Sequence, residues 1–136
     1  MKKIFKFTSD FQNLAKAEEI LDAISKHIDL SEEYYGNILL SLSEAINNAI
    51  VHGNKMDKSK IVTVIYKIVN DKIEIIVEDE GSGFDPDSIP DPTAPENIEK
   101  ETGRGIFIIK SLSDEVNFEK NGSRIIMRFY IKKQKQ

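Results

Sequence analysis

SEEYYGNILLSLSEAINNAIVHGN, residues 31 to 54, reads as one helix with two chemically different faces. Leu39, Leu42, Ile46, Ala49 and Ile50 are spaced as a helix side packed on a core. Glu44 and Asn48 lie one turn apart and stack on a different side, with Ser41 and His52 near that line. Ser31 is placed to cap the first turn, Glu32 and Glu33 complement the positive end of the dipole, and Leu30 can staple onto Tyr35. Gly53 offers a left-handed stop. Consecutive Asn47 and Asn48 each cost a helix roughly half a kcal/mol against Ala, so something other than propensity put them there. Taken alone, a solvated polar face is the ordinary explanation for Glu44 and Asn48, and a packed or capping role the ordinary one for Ser41 and His52.

The 136 residues suit one domain spanning 1–136. Forty per cent apolar and 31% charged residues are ordinary for a soluble globular chain, and a formal charge of -4 gives no electrostatic footprint for nucleic acid. Without cysteine there is no disulfide or thiolate metal site, and two histidines, His27 and His52, are too few for a zinc cluster. A reducing cytoplasm fits. MKKIFKFTSD is interrupted by Lys6 well short of a signal-peptide core, and no run approaches a membrane span, so no membrane partner is expected.

Outward from the central helix, KIFKFT (3–8) alternates as a strand with Phe5 and Phe7 on one side. Ser9 with Gln12 reads as a capping box for a first helix to about Ile28, striped by Leu14, Ala17, Leu21, Ile24 and Ile28. Beyond Gly53, IVTVIYKIV and KIEIIVED form a hairpin over 61–79 across Asn70-Asp71. All four prolines then fall between Pro86 and Pro95, in an aperiodic loop opened by Gly81 and Gly83 and closed by Gly103 and Gly105; such a loop is a lid, a binding loop or a disordered segment, and a lid over about 84–102 is expected. From Arg104, IFIIKSL reads as a short buried helix, and EVNFE with RIIMRFYI as a second hairpin across Lys120–Ser123. This order predicts an α+β two-layer sandwich: helices on one face of a mixed, mostly antiparallel sheet.

Glu44-x-x-x-Asn48-Ala-Ile-Val-His-Gly53, Asp79-x-Gly81-x-Gly83-Phe84 and Gly103-x-Gly105, in that order, resemble the three nucleotide boxes of the GHKL ATPase superfamily, and NAIVHGN looks like its anti-sigma factor serine kinase branch. The resemblance covers nearly the whole chain and implies the Bergerat α/β sandwich, with ATP or ADP between the helix layer and a mobile lid. There is no P-loop.

Residue by residue, the resemblance implies that the Asp79 carboxylate accepts the exocyclic amine of adenine, which disfavours a base presenting an acceptor there. Gly81 and Gly83 let backbone lie against the base and ribose. Asn48 supplies an amide oxygen to a Mg²⁺ that keeps phosphate and water ligands. Free N–H groups around Gly103, Arg104 and Gly105 hold phosphates, and the two glycines let the lid pivot. Glu44, one turn before Asn48, is the general base, and Arg104 or Lys100 stabilises developing charge. Where the related kinases carry a basic residue just before the first lid glycine, this chain has Glu101-Thr102.

The expected function is therefore a partner-switching serine/threonine kinase that phosphorylates a small antagonist protein and sequesters a sigma factor or other effector, with a homodimer through the first strand and helix. A nucleotide-gated protein-binding module or slow ATPase without kinase activity is the alternative. A sensor histidine kinase is disfavoured, because the chain has no room for a phosphoacceptor hairpin.

Overall fold

The computed structural model describes residues 1–81 and 101–131. Five strands, β1 (Lys2–Thr8), β2 (Ile61–Val69), β3 (Lys72–Glu78), β4 (Glu115–Glu119) and β5 (Arg124–Tyr130), form one sheet in the order β1-β2-β3-β5-β4. Every pairing among the described residues is antiparallel, in line with the mostly antiparallel sheet expected and without a parallel pair there. Helices α1 (Lys16–Ser25), α2 (Glu32–Asn47) and α3 (Glu101–Leu112) accompany it. None of the described helices is long and apolar enough to cross a membrane.

Alternation decides which sheet face carries the helices. Phe5, Val64, Val77, Ile125 and Phe118 stand in one cross-strand row on the core side. Ile20, Ile24, Ile38, Leu42 and Ile46 are fully buried and belong to the same core cluster. The opposite face carries a different row, Ile4, Ile65, Ile76, Ile126 and Asn117. Flanking it are ion pairs that step from strand to strand, Lys67 to Glu74 to Arg128 to Glu115 on one side and Glu78 to Arg124 to Glu119 on the other.

Both hairpins turn where expected. Asn70 takes φ 56°, and Lys120, Asn121 and Gly122 take φ of 51°, 57° and 88°. Ser31 caps α2 through the Tyr34 N–H at 3.2 Å. Three local expectations are corrected. The first helical segment is capped by Asp10, which accepts from the Gln12 N–H, because the Ser9 hydroxyl is drawn to the Lys60 carbonyl instead. That segment begins as a 3₁₀ turn, Phe11–Ala15, and α1 ends at Ser25, three residues early. Gly53 is not the left-handed stop: α2 widens into a π turn over Asn48–Gly53, and the reversal falls on Lys55 and Met56 at φ 53° and 59°.

Candidate functional site: the end of helix α2 against strand β3 and helix α3

The widened turn puts backbone where an α-helix would put side chains. Its closing bonds run from the Asn54 N–H to the Ala49 carbonyl, 2.8 Å, and from the Met56 N–H to the Ile50 carbonyl, 2.7 Å. Gly53 is thereby pressed onto the end of β3. A β-carbon on Gly53 would lie 2.2 Å from Asp79 Oδ2, and one on Gly81 would lie 2.0 Å from the Gly53 carbonyl oxygen. Gly81 demands glycine because the backbone it meets cannot move aside, whereas a side chain at Gly53 would displace the Asp79 carboxylate.

Asp79 is 8% exposed. Burial pushes its carboxyl up to about 6, against the pull of the Gly81 N–H, which donates to Oδ1 at 2.7 Å; the neighbouring Glu78 charge adds to the rise. Its own N–H is held by the Ser123 carbonyl at 2.9 Å. The Lys60 charge pulls weakly the other way, and among the described residues Asp79 makes no ion pair, so its free oxygen suits a neutral donor.

Five residues back along the chain from the glycine that meets Asp79, the same helix end presents Asn48, 5% exposed, and one turn earlier Glu44, which is half-buried. Glu44 meets α3: a β-carbon on Gly105 would stand 2.9 Å from its Oε2. A cavity of about 470 Å³ opens beside Glu44, lined by Leu14, Ser43, Asn47, Arg104 and Ile108. Asp79 instead lines a cleft on the outer sheet face. Among the described residues the turn Asn48–Gly53 links Glu44 to Asp79.

α3 begins at Glu101, so Gly103 and Gly105 lie inside it and are not flexible residues ahead of it. The first four N–H groups of a helix lack intrahelical acceptors. Gly103 lies in the first turn of α3 and Arg104 follows it, while Gly105 serves the close approach to Glu44. Gly83, Phe84, Lys100 and all but the last two residues of the lid expected at about 84–102 lie outside the described residues; those two, Glu101 and Thr102, open α3 instead. Ser41 is fully buried, its hydroxyl without a hydrogen-bond partner among the described residues, as suits a packed residue.

The histidine kinase-like ATPase domain matches residues 7–129, nearly the whole of this arrangement. The chain belongs to that family. This histidine kinase-like ATPase domain is also 37% identical over 103 residues to the serine-protein kinases RsbW of Staphylococcus aureus strains JH9, Newman and JH1. The match covers 70% of this chain and 65% of each relative, so the chain spans about two-thirds of the length of the curated relatives it matches. Family membership implies a nucleotide site, and the residues that the structure gathers at the end of α2 are those of the first two boxes. For Mg²⁺, no group of three or more His, Asp or Glu side chains is assembled among the described residues. A buried amide beside a carboxylate fits an ion that brings phosphate and water oxygens with it.

One residue of this histidine kinase-like ATPase domain escaped the sequence. Asn54 is 1% exposed and bonds to three segments, yet in the sequence it reads only as a residue after a helix stop. Its signal was present in kind, a polar residue just beyond the glycine, but its partners Ser9, Ile61 and Glu80 are distant along the chain.

Proposed function

We propose that this domain binds ATP with Mg²⁺ and transfers the γ-phosphate to a serine or threonine hydroxyl of a small antagonist protein, as part of a partner switch that also engages a sigma factor or another effector. The reading rests most on one observation, the contact between α3 and Glu44 at Gly105, which puts the carboxylate at the helix whose first N–H groups suit phosphate. The names of the relatives, serine-protein kinases, support the same chemistry.

In this reading Asp79 accepts the adenine amine, and Gly81 and Gly83 let backbone approach the base. Asn48 offers its amide oxygen to the metal, which would neutralise phosphate charge when bound. Gly103, Arg104 and Gly105 frame the phosphates, with Arg104 supplying charge from the exposed side of α3. The substrate hydroxyl oxygen forms the new bond to the γ-phosphorus, its proton passes to the Glu44 carboxylate, and the bond to the bridging oxygen breaks with its electron pair leaving on ADP. A cytoplasmic location and a homodimer belong to the same proposal.

The deciding experiment is incubation with γ-labelled ATP, Mg²⁺ and host lysate beside a Glu44→Ala control. A small labelled protein that disappears with the control is the expected result. Intact Mg-nucleotide binding with no Glu44-dependent band would remove the kinase and leave a nucleotide-gated binding module.

A further inference from the structure

Asn54 spends both ends of its side chain. Oδ1 accepts the Glu80 N–H at 2.7 Å, and Nδ2 donates to Ser9 Oγ at 2.7 Å and to the Ile61 carbonyl at 3.2 Å. Ser9 in turn donates to the Lys60 carbonyl at 2.8 Å, and the Glu80 carboxylate accepts the Ile61 N–H at 2.6 Å. One buried amide thus ties the end of β1 and the start of β2 to the residue directly after Asp79.

The position of the Glu80 bond gives it consequence. Asp79 is flanked by two peptide planes, and its backbone dihedrals are fixed only if both are held. The preceding one is pinned by the Ser123 carbonyl, which accepts the Asp79 N–H at 2.9 Å. The following one is pinned by Asn54 Oδ1. Gly81 then fixes the carboxylate itself, and Gly53 closes its other side. Closure of the turn after α2 does not require the Asn54 amide, since backbone bonds already close it.

We infer that Asn54 is the positioning residue for the base-recognising carboxylate: through the Glu80 N–H it holds Asp79 in the orientation that distinguishes a purine 6-amine from a 6-carbonyl. This rests on the adenine role proposed for Asp79. A hydrogen-bonding site rejects the wrong group strongly only when its own acceptor cannot turn away.

Calorimetric titration with Mg-ADP and Mg-IDP, which differ at that position, tests it on the wild type, Asn54→Ala, Asn54→Asp and Ser9→Ala. The wild type should prefer ADP. Asn54→Ala should lose about tenfold or more of that preference. Asn54→Asp keeps an oxygen for the Glu80 N–H and should retain it, and Ser9→Ala should melt earlier with the preference intact. A lower melting temperature for Asn54→Ala with an unchanged ADP to IDP ratio marks a purely architectural residue and overturns the inference. Should Asn54→Ala not fold, hydrogen exchange on the wild type decides: a Glu80 amide as slow as a strand amide supports the pin, and one exchanging as open chain removes it. A wild type that binds both nucleotides equally, or neither, takes the adenine reading down as well, whereas an unchanged ratio removes the role of Asn54 alone.

Discussion

Asp79 holds an acceptor where water would rather keep it, and that has opposite effects on the empty and the occupied protein. Its folded pKa, about 6 against an ordinary 3.8, means that the folded state binds the proton more tightly than the unfolded chain does. The carboxylate therefore destabilises the ligand-free fold above pH 6, a cost that fades as pH falls towards 4. Asp79→Asn should raise the ligand-free melting temperature at pH 7 and flatten this pH dependence, while abolishing the stabilisation by Mg-ADP, roughly 2.7 kcal/mol at a hundredfold excess over Kd in the wild type. Nucleotide affinity should run the other way and weaken as pH drops through 6, because a protonated carboxyl is a poorer acceptor. Thermal melts of both proteins across pH 4 to 8 with and without nucleotide check all three; an Asn variant no more stable than wild type without ligand contradicts the assignment. Tyr66 offers a cleaner residue-scale test. Its ring is fully buried and its hydroxyl has no hydrogen-bond partner among the described residues, so Tyr66→Phe should stabilise by about 1 kcal/mol in urea melts. Neither effect could be read from the sequence, which gave Asp79 a strand end and Tyr66 a place in an alternating run but no partners.

At the scale of elements, α2 was legible wherever the signal was local. Its apolar stripe and the Ser31 cap stand, although Ile38 and Ala45 join the buried face as well. What periodicity could not reveal is the change of pitch at Asn48, because the turn fits the packing of Gly53 against Asp79, a residue distant along the chain. The glycines of α3 were read as a hinge for the same reason: in sequence a glycine pair signals freedom, and only the neighbour, here Glu44, reveals a need for space. Gly105→Ala should force the Glu44 carboxylate aside, lowering phosphate transfer by about tenfold or more while leaving ADP affinity within about twofold, since a displaced base costs chemistry more than binding. Kinetics beside titration of the same preparation separate the two; equal losses in both would mean that the helix, not the carboxylate, has moved.

At the scale of the molecule, the number of strands and both hairpins were written in alternation and turn residues, while the sheet order was not. Placing β5 between β3 and β4 requires a non-neighbouring strand to enter the middle, and no local pattern encodes that. The outer face of the sheet carries the row Ile4, Ile65, Ile76 and Ile126. Its isoleucine row, from half-exposed Ile4 inward to Ile76 and Ile126, is more apolar than alternation against water needs. The outward charges are also polarised, Lys2 and Lys6 at the β1 edge and Glu115 and Glu119 at the β4 edge, so a two-fold axis along the strands would set opposite charges across a pair of sheets. The proposed homodimer should accordingly use this face as well as the first strand. Ile65→Lys should shift the sedimentation coefficient from dimer to monomer without lowering the far-ultraviolet helix signal, and a wild type that is monomeric at high micromolar concentration discards the dimer.

The bond from the Asp79 N–H to Ser123 has a consequence for the chain while it is being made. Synthesis is slow compared with the closing of a hairpin, so β2 and β3 can pair long before β5 exists. Asp79 has only one of its two peptide planes within reach of a partner until Ser123 leaves the ribosome. A nascent chain stalled ahead of β5 would carry the Glu44 and Asn48 helix and the Asp79 strand, and still offer nucleotide no rigid seat.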